Sequence, residues 1–369
     1  MTLALKTFAI PDPGGHGAAL ALKGDWVIVA IGDGTHLGHG EASHSGADAA
    51  CRERVGELFT RHVREVAPTV DAIRSLERGP FATAADMVTA TAISALDQAL
   101  WELAARRAGV PVWRLLADKP VRTTVPVYMT VNRALTVRDD ADYRGVVGRA
   151  VAAGVRSVKV APFEAVTPAC DQLAAARRGL SVLRMIRDAF PEVGLRVDCH
   201  ERFTPEAALA LLPELEPLGL EWVEALCPVG PINAAVRRRT AMPLAAGELY
   251  FGKQRYVELA ERGWADVVMP DVKHVGGFGP LLGVCDAVRP FGTVVSPHNP
   301  SGVVSTLASL HAAALAANAS ELELALSGEG RLPVDPGLLH DGHLYLPSGP
   351  GWGATLDDLL QCTTWKEAR

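Results

Sequence analysis

The first 60 or so residues alternate short apolar runs, such as "DWVIVAIGDG", with glycine-rich turns, the pattern of a small antiparallel sheet. From Ala85 to Leu116, "ADMVTATAISALDQALWELAARRAGVPVWRLL", apolar residues recur instead every three or four positions. That spacing predicts a long helix whose end is punctuated by Gly109 and Pro111. Beyond about Pro126 the texture changes again, to repeated pairs of a short Val-, Leu- and Ile-rich run and an alanine- and leucine-rich helix. This is the β/α alternation of a parallel sheet, so an α+β unit followed by an α/β unit is expected.

The predicted strands end in a way that a solvated charge pattern does not produce. "RSVKVAPF", "LRVDCH", "LEWVEAL", "PLAAGE", "DVVMPD", "GTVVSPH" and "SELELAL" each run apolar and then stop at or near an ionisable side chain. After Lys159 these side chains are Asp198, Glu224, Glu248, Asp271, His298 and Glu323, spaced by roughly 25 residues, about one β/α unit of a barrel. In a closed parallel barrel all such strand ends meet on one face, where the active sites of this architecture lie. Acids distant in sequence therefore converge.

Charge and cysteine usage narrow the partners. The chain of 369 residues can bury a large core, and its formal net charge of −6 comes from interspersed acidic and basic residues. No lysine- or arginine-rich block offers a footprint for nucleic acid or an anionic membrane. The six cysteines (Cys51, Cys170, Cys199, Cys227, Cys285 and Cys362) show no C-x-x-C spacing. That usage suits free thiols in a reducing compartment rather than a disulfide framework or zinc knuckle. The start, "MTLALKTFAIPDPGG", has no basic n-region or sustained apolar run, so a cytoplasmic protein is expected.

Asp198, Glu224 and Glu248, on successive predicted strands, offer only hard oxygen ligands, which favours Mg²⁺ over zinc. Any one of them alone could be an ordinary acid preceding a helix. Together with "TAISALDQALWELAARRAGVPVWRLLADK", "GVRSVKVAPF", "VDCHERF", "WVEAL", "AAGE", "MPDVKHVGG", "VSPHNPSG" and "LPSGPGWGATLDD", they make the chain resemble the enolase superfamily. Within it the resemblance is to the mandelate racemase-like branch, over nearly the whole length. The resemblance implies an α/β fold: an N-terminal α+β capping domain (1–124), a modified (β/α)₈ TIM-type barrel (125–335) and a C-terminal segment packing back on the cap (336–369). It also implies that Asp198, Glu224 and Glu248 bind Mg²⁺, which holds a substrate carboxylate and stabilises the ene-diolate formed when the neighbouring proton leaves. The partner is then a small carboxylate, and a homo-oligomer is expected.

Removing so weakly acidic a proton needs a group of near-neutral pKa held in place, and a histidine oriented by a carboxylate meets that need. Asp271 and His298 match the family's Asp–His dyad, with His298 as base. His200 follows the first ligand by two positions, and strand alternation would turn it toward the same cavity. "D-x-H" resembles the members that dehydrate acid sugars, where this histidine is the general acid; a histidine that merely supports a metal ligand is the plainer alternative. "PHNPSG" resembles the "PHxPxGP" of galactonate dehydratase-like members.

Racemases of the branch carry "K-x-K" where this chain has "VKVAPFE". In that register Lys159 fills the first lysine, and Ala161 stands where the second base would be. The departure favours a dehydratase of an acid sugar over a racemase or epimerase, and leaves Lys159 to pair with a substrate oxygen or a metal ligand. On the last strand Glu323 is preferred to Glu321 as the family's substrate-binding glutamate, although the two share a face. The loops Pro11–Ala19 and Gly34–Gly46 resemble those that close over substrate. His36, His39 and His44 in the second could suggest a metal site, but a glycine-rich loop is a poor preformed cage. His274 and Arg202 are further candidates for substrate contact or for structural roles. A zinc-dependent barrel hydrolase would need an H-x-H motif that the early strands lack.

Overall fold

The computed structural model describes residues 2–10, 26–44, 46–326 and 333–354, so the predicted loop Pro11–Ala19 and Cys362 lie outside the described residues. Strands β1 (Ala4–Ile10), β2 (Trp26–Gly32) and β3 (Leu37–Glu41) form an antiparallel sheet in that order. Helix α3 (Met87–Ala108) packs on this sheet, and α1 (Asp48–Leu58) and α2 (Val70–Arg78) pack on α3. The Asp86 carboxylate accepts the Thr89 N–H at the start of α3, and Gly109, at φ +67°, ends the helix in the left-handed region. α3 is buried almost all round because β3 covers one side and the second domain the other. The approach of β3 requires glycine, since a Cβ at Gly40 would fall 1.9 Å from the Ala95 carbonyl oxygen.

The second domain is the expected β/α alternation. It runs β4 (Thr124–Thr130), α4 (Asp140–Ala152), β5 (Ser157–Val160), α5 (Gln172–Ala189), β6 (Gly194–Asp198), α6 (Pro205–Leu215), β7 (Leu220–Glu224) and α7 (Ile232–Arg237). It continues with β8 (Leu244–Ala246), α8 (Gln254–Glu261), β9 (Val267–Val268), α9 (Phe278–Val288), β10 (Val294–Val295), α10 (Val303–Leu315) and β11 (Leu322–Ala325). β4 to β10 pair in parallel, each with the next, and β11 pairs with the other edge of β4. Val295 closes the ring, donating its N–H to the Asn318 carbonyl at 2.9 Å and accepting from Ser320 N–H at 3.0 Å. Among the described residues no eighth helix follows β11, which is how the barrel is modified.

After the barrel, β12 (Leu339–His340) and β13 (His343–Tyr345) form a hairpin, and β13 adds antiparallel to β4. The chain then meets the cap: Gly351 exchanges backbone hydrogen bonds with Val110 and Val112, and the Trp352 indole donates to the His39 carbonyl at 3.0 Å. No helix of the described residues is long and apolar enough to cross a membrane.

His311 of α10 ties this junction together. Its Nδ1 accepts the Trp113 N–H at 3.2 Å, its Nε2 lies 3.3 Å from the Trp352 carbonyl, and burial pushes its pKa down to about 4. Because the folded value lies below the unfolded one, the unfolded chain takes the proton first as pH falls. Stability is therefore fully present above about pH 6.5 and lost toward pH 4, at about 1.4 kcal/mol per pH unit for this one group. Urea titrations of wild type and His311→Gln across that window should show a shallower slope in the variant. Equal slopes would remove His311 from the acid response.

Candidate active site

The strand ends bring the predicted acids together. Asp198 and Glu224 are the last residues of β6 and β7 and pair across the sheet, and Glu248 lies two residues beyond β8. One carboxylate oxygen from each lies within 4.8 Å of the others, and among the described residues no other group of three metal-ligating side chains is so arranged. Lys159, buried in β5, reaches into this cluster from the strand next to β6. Its Nζ is 2.8 Å from Glu224 Oε2, 3.0 Å from Glu323 Oε1 and 3.9 Å from Asp198 Oδ2.

Three carboxylates thus surround one ammonium, an excess of negative charge. Burial and the neighbouring Asp198 push Glu224 up to about 8, despite Lys159 at hydrogen-bond distance. Glu224 Oε1 is buried and finds no donor among the described residues. An all-oxygen donor set with excess negative charge and an unpartnered oxygen fits a hard divalent cation such as Mg²⁺, and lacks the nitrogen or sulfur that zinc prefers.

Asp271 and His298 stand on the far side of Glu248. His298 Nδ1 is 2.9 Å from Asp271 Oδ2, and its Nε2 is 3.0 Å from Glu248 Oε2. The imidazole therefore lies between the two carboxylates, with Nε2 toward the cluster. Burial opposes charge on His298, but Glu248, Asp271 and Glu323 together raise its pKa well above the usual range. In return, although burial alone would raise Glu248, His298 draws it down to about 2. The Lys273 ammonium also lies 3.3 Å from Asp271 Oδ2, and it helps hold that carboxyl below its ordinary value against burial. Lys273 was not singled out by the sequence, though its place two residues after Asp271 is the available signal.

His200 reaches the cluster by a different route from the one expected. β6 ends at Asp198, so strand alternation does not carry the side chain inward. Instead His200 and Glu201 turn through φ +49° and +54°, the left-handed region, and the Asp198 Oδ1 atom accepts the His200 N–H at 2.9 Å. This turn sets His200 Nε2 3.1 Å from Asp198 Oδ2. On the neighbouring strand, Ala161 lies one residue past β5, buried, its N–H donated to Asn132 Oδ1 at 2.8 Å.

The two glutamates of the last strand separate by depth. Glu323 meets Lys159 and accepts the Asn299 N–H at 3.1 Å, while Glu321 pairs with Arg196 Nη2 at 2.7 Å. Arg196 lies two residues before Asp198 and so points into the same interior one layer lower, its guanidinium 3.8 Å from the Trp222 ring and 4.2 Å from the Tyr128 ring. Arg202 donates to the carbonyls of Glu164 and Val166, and His274 Nδ1 sits 2.9 Å from the Thr91 hydroxyl. The three loop histidines do not share a site. His39 is buried against Glu102 at 2.8 Å, His36 faces Asp33, and the His44 ring lies beside that of His274.

Comparison with known proteins places this arrangement in a family. The family described as "Enolase C-terminal domain-like" matches residues 142–360, more than half of the chain. The one described as "Mandelate racemase / muconate lactonizing enzyme, N-terminal domain" matches residues 19–117. The chain belongs to the mandelate racemase/muconate lactonizing enzyme family of the enolase superfamily. Within it, the chain is similar to acid-sugar dehydratases. A D-xylonate dehydratase of Haloferax volcanii is 27% identical, over 90% of this chain and 83% of that protein. A D-galactonate dehydratase family member of Streptomyces bingchenggensis is 28% identical, over 97% and 92%. A solved enolase of Agrobacterium radiobacter, a galactarate dehydratase candidate bound to sodium and L-malate, superimposes with a TM-score of 0.80 at 26% identity, over 96% of this chain and 92% of its own.

Proposed function

We propose that this protein is a Mg²⁺-dependent dehydratase of an acid sugar, an aldonate or aldarate, that yields the 2-keto-3-deoxy acid. The observation that carries the reading is the pair of imidazoles, His298 and His200, at separate edges of one acid cluster, with alanine at position 161. Asp198, Glu224 and Glu248 would hold the metal, which when bound supplies positive charge to the substrate carboxylate. With Glu248 committed to a bound cation, His298 would lose the partner that most favours its charged form, leaving Nε2 free to take the C2 proton while Asp271 fixes the ring through Nδ1. His200 gives its proton to the C3 hydroxyl, which leaves as water, and the remaining enol tautomerises to the 2-keto acid. Lys159 neutralises Glu224 and Glu323 at the cluster's buried side and orients the substrate's oxygen side of the site.

Incubation with a panel of aldonic and aldaric acids and Mg²⁺ in deuterated water tests the reading. A 2-keto product is expected from at least one acid; exchange or inversion at C2 without any such product would sink it in favour of an epimerase. Mg²⁺ at a hundred times its dissociation constant should also stabilise the fold by about 2.7 kcal/mol, raising the thermal midpoint by a few degrees. Glu224→Gln should lose most of that shift. A midpoint indifferent to Mg²⁺ would count against the metal site.

A further inference from the structure

The barrel helices differ in how their first turns are satisfied. α4, α5 and α6 are capped by their own preceding side chains, Asp139, Asp171 and Thr204. α9 and α10 are preceded by Gly277 and Gly302, which have no side chain to offer. For these two the acceptor comes from the cap. Asp97 of α3 accepts Phe278 N–H at 2.7 Å, and Glu41, the last residue of β3, accepts Gly302 N–H at 2.9 Å and Ser305 N–H at 3.1 Å.

Both carboxylates are fully buried, and both glycines are needed for the approach: a Cβ on Gly277 would lie 2.1 Å from Asp97 Oδ1, and one on Gly302 2.8 Å from Glu41 Oε2. A buried side-chain oxygen on a helix N-terminus is a directional anchor, because it accepts from N–H groups that the helix itself leaves unpaired. α9 and α10 are the helices that follow β9 and β10, the strands whose ends carry Asp271 and His298. The segment between Asp271 and α9 is held by α3 at further points: Gln98 Nε2 donates to the Val272 carbonyl at 3.3 Å, Ser94 Oγ accepts Gly276 N–H at 2.9 Å, and Thr91 meets His274.

We infer that Glu41 and Asp97 are positioning residues for proton abstraction: the cap sets the Asp271–His298 geometry by capping, from the other domain, the two helices that follow the dyad. The inference rests on the reading of His298 as the base. It gives the cap a second task besides enclosing substrate. Asp271 and His298 each stand three residues past their strand, on the segment that leads into the helix, so a drift of either helix start shifts one of them, and misplacement on the ångström scale is costly to a proton transfer.

The test compares wild type, Glu41→Gln, Glu41→Ala and Asp97→Asn at saturating Mg²⁺, with the aldonic acid of greatest turnover in its protiated and C2-deuterated forms. Glu41→Gln and Asp97→Asn are each expected to lower kcat about tenfold with KM and Mg²⁺ affinity within about twofold, and to raise the isotope effect on kcat. Glu41→Ala should be worse than Glu41→Gln, since the amide retains an acceptor. A second readout needs no substrate: the downfield Nδ1 proton of His298, assigned by its absence in His298→Asn, should broaden or vanish in the Gln and Asn variants. Should Glu41→Gln fail to fold, Asp97→Asn carries the same test through the other helix. Loss of activity only in proportion to unfolded protein, with kcat per folded molecule, isotope effect and proton resonance unchanged, would overturn the inference. Were wild type itself to show no proton removal that depends on His298, the reading of the base would fail instead, a result visible in the His298→Asn control.

Discussion

His298→Asn is expected to lower turnover of the acid-sugar substrate by about 10²–10⁴-fold, the usual contribution of a positioned general base. Asparagine can still face Asp271, and so keeps the pocket filled, but it cannot accept a proton. Mg²⁺ affinity should change little, because His298 touches Glu248 only through a hydrogen bond. What makes the variant informative is its pairing with His200→Asn. His200 lies at Asp198, on the other edge of the cluster from Asp271. If His298 takes the C2 proton and His200 serves the C3 hydroxyl, His298→Asn should abolish both deuterium exchange at C2 and elimination. His200→Asn should abolish elimination while exchange in deuterated water persists. Nuclear magnetic resonance of recovered substrate, beside a 2-keto acid assay, reads both. Exchange surviving in His298→Asn would reassign the base.

The part of this site legible in the sequence is the part fixed by the repeat. A parallel barrel sends every strand end to one face, so acids at a spacing near one β/α unit had to meet, and Asp198, Glu224 and Glu248 do. Glu323 could be preferred over Glu321 only weakly, because period-two alternation gives direction without depth. Depth depends on which side chains of other strands share the layer, Lys159 for one and Arg196 for the other. His200 arrived at the cluster for a reason alternation does not contain, a left-handed turn after the strand had ended. The capping acids Glu41 and Asp97 were illegible for a deeper reason. Their partners lie in the other domain, more than 180 residues away for Asp97 and Phe278. No local pattern marks a carboxylate that will cap a distant helix.

The same distinction governs what the cap contributes. Its sheet and α3 are legible as elements, since periodicity fixes each of them separately. Their use is not, because it arises where β3 ends in Glu41 against α10 and where α3 lays Thr91, Ser94, Asp97 and Gln98 along the segment that holds Asp271. The cap helix thus lies along the segment between Asp271 and α9 rather than against a barrel strand.

Ala161→Lys is expected to add proton exchange from the face opposite His298. Position 161 follows Lys159 by two, one residue past the end of β5, and Ala161 is buried; in the register of the racemase "K-x-K" pattern a lysine there would face the cluster. A lysine placed there, desolvated and beside the Lys159 ammonium, would have its pKa pulled down, as a base for this chemistry requires. The added methylenes cost about 1–3 kcal/mol of overpacking, which the Mg²⁺-bound protein can bear. A 2-hydroxy acid without a C3 hydroxyl is the right probe, because it cannot eliminate and any proton lost at C2 must return. Wild type should exchange that proton for deuterium with retention, through His298 alone. The variant should incorporate deuterium with inversion, visible by chiral separation followed by mass spectrometry. If it folds, binds Mg²⁺ and exchanges with retention only, then position 161 does not face C2, and the missing second base ceases to favour elimination over epimerisation.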